Sequence, residues 1–138
     1  MLTMRNMKLI FSAGDTKIYR KKVEFTDIAV FGSGIVHEVC STFVLAKEIE
    51  WASRLFVLEM KEADEEGIGT MLHIDHLSPA FPGEELIITA KYQKLDGNYL
   101  TCGIKAEANG RLVATGQTGQ KIVKKAKLAA LFDQLRKK

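Results

Sequence analysis

The sequence predicts an α+β domain in which one long helix packs against a single antiparallel sheet. Three observations carry this. From about Ser41 to Lys61, apolar residues recur at helical spacing, with Leu45, Ile49, Ala52 and Phe56 on one stripe. From Gly67 to Val123 the pattern shifts to alternation, broken only by turn chemistry at Pro79–Gly83, Asp96-Gly97-Asn98 and Asn109-Gly110. A shorter alternating run, about Thr16 to Thr26, precedes the helix. A sheet that offers its apolar face to one long helix is a two-layer arrangement.

In chain order, the first strand sets Tyr19, Val23 and Phe25 against charged Arg20, Lys22 and Glu24, so one face is wet. Gly32-Ser33-Gly34 reads as a small-residue loop. Ser41 is the expected N-cap of the long helix, and Val44, Trp51, Leu55 and Leu58 widen its apolar arc past half the circumference. The acidic stretch Glu62, Asp64, Glu65, Glu66 and then Gly67 ends it. The strand from Gly67 to Leu77 is expected to put Ile68, Leu72, Ile74 and His76 on one face. Strands follow over Glu84–Leu95, Tyr99–Ala108 and Arg111–Val123, the last two joined by Asn-Gly, which supplies the positive φ of a type I′ turn. A short amphipathic helix from Lys125 to Leu135 runs through Leu128, Leu131, Phe132 and Leu135.

The chain of 138 residues reads as one domain, 1–138, with a short N-terminal extension and a helical C-terminal tail. Its 46% hydrophobic and 27% charged residues exclude disorder, a collagen-like repeat and a cysteine-stapled miniprotein. No apolar run approaches the roughly 20 residues of a membrane-spanning helix. Leu9, Ile10 and Phe11 are too short a block for a secretory signal. Cys40 and Cys102 form no CxxC and no metal-ligand spacing, which suits a reducing, cytoplasmic setting. The net charge of +3 is mild and gathered at Lys124, Lys125, Lys127 and Arg136 to Lys138. Without interleaved aromatics it does not read as a nucleic-acid surface; phosphate on a small ligand is the better second use.

Three segments carry a resemblance. Ser41-Thr42 is followed eight residues later by Glu50-Trp51-Ala52; His76 closes Thr70-Met71-Leu72-His73-Ile74-Asp75-His76; and Pro82-Gly83-Glu84 opens a β meander that ends in Ala114-Thr115-Gly116. With the element order, which points to a helix wrapped by a curled antiparallel sheet, the chain resembles hotdog-fold thioesterases of the fluoroacetyl-CoA thioesterase type over about Thr16 to Lys121. The resemblance implies a catalytic group of Thr42, Glu50 and His76 that hydrolyses a short or small acyl-CoA to the free acid and coenzyme A. It also implies a homo-oligomer, a dimer or dimer of dimers, with the active site at a subunit interface. No metal or cofactor is implied beyond the coenzyme A of the substrate, and no nucleic acid or membrane partner.

By themselves the residues allow more than one reading. Histidine titrates near neutral pH, which makes His76 the candidate base; the alternative is a structural, half-buried histidine. His73 faces the other way with Asp75. Glu50 falls near Lys47 and Arg54, so an i,i+4 surface pair with Arg54 competes with a catalytic role, and Glu48, inside the apolar arc, is the odder carboxylate. Thr42 is either a helix cap or a nucleophile or water-positioning hydroxyl. Thr42 and Glu50 lie roughly 12 Å apart along the helix and about 80° apart around it. They cannot touch within one straight helix, so either Glu50 arches over a substrate or one of them comes from another subunit.

Further site residues follow from the resemblance. Gly69 is expected to let backbone approach a ligand, and Val36, Phe43 and the Phe31–Gly34 loop to line an acyl pocket. Two positions depart from the family pattern: Phe43 replaces a glycine after the threonine, where it should crowd the acyl end, and Thr118-Gly119-Gln120 replaces His-x-Arg, so Gln120 takes the place of a cation. These departures motivate the alternative of a non-catalytic acyl-CoA or small-carboxylate binding module. Cys40 and Cys102 lie in apolar runs and read as core. Thr26-Asp27 faintly resembles the aspartate of the 4-hydroxybenzoyl-CoA thioesterase branch, which keeps Asp27 as a minor alternative.

Overall fold

The computed structural model describes residues 7–138; residues 1–6 of the expected N-terminal extension lie outside the described residues. The order is β1 (Thr16–Lys22), a 3₁₀ turn (Phe25–Asp27), β2 (Ile28–Phe31), β3 (Gly34–Cys40), α1 (Thr42–Met60), β4 (Glu65–His76), β5 (Glu85–Asp96), β6 (Tyr99–Ala108), β7 (Arg111–Lys124) and α2 (Lys125–Arg136). Five strands form one antiparallel sheet in the order β1-β5-β6-β7-β4, and α1 lies across its inner face. This is the expected α+β hotdog arrangement.

The β5–β6–β7 meander follows from its turns. Gly97, Asn109 and Gly110 all take positive φ, at 65°, 48° and 77°, as tight hairpins require. The core forms where Leu45, Ile49, Ala52 and Phe56 of α1 meet Leu86, Ile88, Leu100 and Ala106 of the sheet, all buried. The wider apolar arc is not fully covered among the described residues: Trp51 and Leu58 stand exposed on the helix face turned away from the sheet.

The sheet order sets β4 beside β7 at the edge, not beside β5. Three expectations are corrected. Residues around Gly32–Gly34 turn a two-stranded hairpin, β2–β3, rather than a plain loop, with Gly34 at φ 115° and a register that slips on both sides of Ala29. The first strand stops at Lys22, so Val23 is buried but Phe25 is 61% exposed in the 3₁₀ turn. Finally, Ile68 does not share a face with Leu72, Ile74 and His76. Thr70 is an unpaired extra residue between Gly69, opposite Gln120, and Met71, opposite Gly119. This bulge turns the strand over, so that Gly67 and Gly69 face the helix before it and Leu72, Ile74 and His76 after it.

Candidate active site

The N-terminus of α1 is fixed by its neighbours. Ser41 takes the extended N-cap conformation and its hydroxyl accepts from the Val44 N–H at 3.0 Å, while its own N–H donates to the Asp27 carbonyl at 2.9 Å. Because Ser41 caps, the Thr42 hydroxyl is free for other work. It meets Nδ1 of His76, the last residue of β4, at 2.9 Å. With Nδ1 unprotonated the hydroxyl donates to it, which is the geometry of a nucleophile and its base. The N–H groups of Thr42 and Phe43, first in the helix, make no hydrogen bond among the described residues.

A cavity of about 630 Å³ opens beside Thr42 between the β2–β3 hairpin and the start of α1. Val36 and Phe43 line it, with Ile28, Val30 and Phe31. Phe43 is 81% exposed: its ring forms a wall rather than crowding the space, because the first helical turn directs it outward.

Glu50 belongs to a second cluster. Its carboxylate lies over Gly69 so closely that a Cβ there would sit 2.7 Å from Oε2. Gln120 stands opposite Gly69 on β7, only 2% exposed, and its Nε2 donates to Ser53 Oγ at 3.0 Å. Ser53 in turn donates to the Glu50 carbonyl at 2.9 Å. The expected Glu50–Arg54 pair does not form. Arg54 is drawn across to β4, where it binds the Glu66 carboxylate at 2.8 Å and the Gly67 carbonyl at 3.2 Å.

The seven residues expected here therefore fall into two groups: Thr42, His76, Val36 and Phe43 at one end, Glu50, Gly69 and Gln120 at the other. About 12 Å of helix separates Thr42 from Glu50, and roughly 20 Å of strand separates His76 from Gly69. One chain does not bring Glu50 to its own His76.

The remaining candidates are placed elsewhere. His73 pairs with Asp75 at 3.0 Å on the outer face. Asp27 accepts from Lys21 Nζ at 2.9 Å and from the Glu24 N–H at 2.8 Å, a structural clasp beneath the helix start. Burial pushes the Cys40 thiol up to about 11 and the Cys102 thiol up to about 12, so both are inert core residues. Glu48, the odd carboxylate of the apolar arc, is only 6% exposed and interacts with Tyr19, whose hydroxyl is raised first by burial and then by Glu48. Among the described residues no three His, Cys, Asp or Glu side chains gather as a metal site, and no helix is long and apolar enough to cross a membrane.

Comparison with known proteins bears on the fold and the family. A comparison with curated sequences finds no significant match. Among solved structures, a Thermus thermophilus hypothetical protein described as a thioesterase superfamily member is 32% identical, with a TM-score of 0.89 over 94% of this chain and 96% of that one. The fluoroacetyl-CoA thioesterase FlK superposes with a TM-score of 0.83 at 18% identity, covering 90% of this chain and 96% of that one. A 1,4-dihydroxy-2-naphthoyl-CoA thioesterase from Synechocystis gives 0.63 at 17% identity, covering 80% and 84%. The sequence profile of the family described as fluoroacetyl-CoA-specific thioesterase matches residues 23–126. The chain belongs to that family and is a thioester hydrolase of the hotdog acyl-CoA type.

Proposed function

We propose that the protein hydrolyses a short or small acyl-CoA with Thr42 as nucleophile, His76 as base and Glu50 supplied by a second copy of the chain. The single observation that carries this is the 2.9 Å contact between Thr42 Oγ1 and His76 Nδ1. His76 takes the Thr42 proton as Oγ1 attacks the thioester carbonyl, and the oxyanion is met by the free N–H groups of the first helical turn. Collapse of the tetrahedral adduct expels the coenzyme A thiolate, which takes up the proton held by His76. Neutral again, His76 deprotonates the water that attacks the acyl-threonine ester, and returns that proton to Thr42 Oγ1 as the acid is released. The cavity lined by Val36 and Phe43 takes the acyl group, and Gly69 with Gln120 borders it from the other chain.

The case for two copies is geometric. Strand β4 is an edge, 12 residues long, with one side unpaired among the described residues. Antiparallel pairing with its own copy about a two-fold axis between Leu72 and His73 sets Gly69 of each chain opposite His76 of the other. That brings Glu50, resting on Gly69, to the Nε2 side of the second copy's imidazole, where a carboxylate orients the ring and stabilises its cation.

Mixing His76→Ala with Glu50→Gln chains tests both halves. Each mutant alone is expected to be nearly inactive. Dissociated and reassociated together in equal amounts, they form mixed dimers with one intact site, and recover about a quarter of wild-type thiol release. No recovery would return Glu50 to its own chain. No turnover by wild type on short, branched or aromatic acyl-CoAs would favour the binding-module alternative.

A further inference from the structure

A second recess lies on the solvent side of α1, toward β1. It measures about 590 Å³ and carries five cations against three carboxylates on its walls. Spacing explains one wall: Lys47, Trp51 and Arg54, at i, i+4 and i+7, fall on one exposed face of the helix. Arg20 and Lys22, from the outer face of β1, stand on the other. Some of this charge is already used, since Arg20 pairs with Glu85 and Arg54 with Glu66. Lys22 and Lys47 form no ion pair among the described residues. Of the carboxylates, Glu48 is turned inward toward Tyr19 and Lys21.

Trp51, the only tryptophan of the chain, lines the same recess and is 40% exposed. The exposed indole leaves apolar surface in water, and although Glu24 and Glu50 share the recess with the two lysines, neither pairs with them among the described residues. An aromatic base carrying phosphates would satisfy both, by stacking on the ring and by charge-assisted contacts to the lysines. Glu50 lines the same recess, which therefore runs up to the reacting group rather than standing apart from it.

We propose that this recess holds the phosphorylated nucleotide end of the coenzyme A thioester, with Trp51 stacking on the base and Lys22 and Lys47 meeting the phosphates. The assignment rests on the thioesterase reading above and adds to it a separate subsite for the leaving group. Acyl group and nucleotide then leave the thioester on opposite sides, one into the apolar cavity under the β2–β3 hairpin, the other across the solvent face of the helix.

Trp51 reports on its own site. Adenosine 3′,5′-bisphosphate, titrated into the wild-type protein, is expected to quench its fluorescence saturably, and inorganic phosphate at equal ionic strength is not. In a Lys22→Gln/Lys47→Gln double variant the apparent dissociation constant should rise tenfold or more. The same variant should lower by at least tenfold the ratio of kcat/KM for an acyl-CoA to that for the corresponding acyl-pantetheine, which lacks the nucleotide. A flat titration, equal quenching by phosphate alone, or an unchanged constant and ratio in the variant would overturn the assignment while leaving thioester hydrolysis untouched. Failure of wild type to cleave either thioester would instead overturn the catalytic reading, and the fluorescence titration alone would then decide whether the recess binds the nucleotide.

Discussion

Thr42 and His76 stand 34 residues apart in sequence, yet their side chains meet at 2.9 Å because a helix start and a strand end converge there. The contact makes a direct prediction. His76→Ala should lower kcat by about 10²–10⁴-fold, the range of a general base, with unchanged circular dichroism. A loss of less than threefold would leave His76 a structural residue.

Gly69 is glycine because Glu50 occupies the space of its side chain. Gly69→Ala would push the carboxylate aside, since Oε2 would lie 2.7 Å from the new Cβ. Displacement of about 1 Å at a reacting group costs roughly 10–100-fold in kcat. Steady-state kinetics should show this loss with little change in melting temperature, because the carboxylate is exposed and can move.

Capping of α1 by Ser41 separates stability from catalysis. Ser41→Ala removes the acceptor for the Val44 N–H and should cost about 1 kcal/mol, seen as a melting temperature about 4 °C lower. Thr42→Ala, which removes no cap, should melt near wild type and lose thiol release.

Two ion pairs give the fold an acid limit. The Arg111 guanidinium beside Glu84 and the Arg54 guanidinium beside Glu66 hold both carboxyls below the usual carboxylate range. Their contribution is present at pH above the ordinary value of 4.5 and is lost as pH falls through the lower folded-state values. Glu66→Gln/Glu84→Gln should therefore lower stability at pH 7 by about 1 kcal/mol and flatten its decline below pH 4.5 in urea titrations.

Both thiols should be silent in the native state. With Cys40 held up to about 11 and Cys102 up to about 12, a thiol reagent at pH 8 is expected to react only as fast as the chain opens, and promptly in denaturant. Fast native labelling would show that either residue is accessible.

Much of this was legible in the sequence where a local rule governs. Asn109-Gly110 fixes its hairpin through backbone preference alone, and the Leu45–Phe56 stripe settles which face of α1 is buried. The β2–β3 hairpin was not, because its register slips around Ala29 and leaves no clean alternation to read. Glu50 and Arg54 have the spacing of a helix pair, but Glu66, distant in sequence, captures the arginine. The same limit applies to the site. Motifs name Thr42, Glu50 and His76, and helix geometry shows that Thr42 and Glu50 cannot meet in one helix, but which residues group together depends on where β4 runs.

The extra residue in β4 has a consequence of parity. Gly69 and His76 are an odd number of positions apart, so in an unbroken strand they would point to opposite sides of the sheet. The bulge at Thr70 takes one residue out of the count, leaves it even, and so lets both address the helix. The same chain paired straight through Thr70, without the bulge, would keep every acid, base and hydroxyl, yet its two half-sites would face away from each other. The chemistry of this protein is thus written partly in residue types and partly in a count, and the loss of one bulge can erase the second while leaving the first intact.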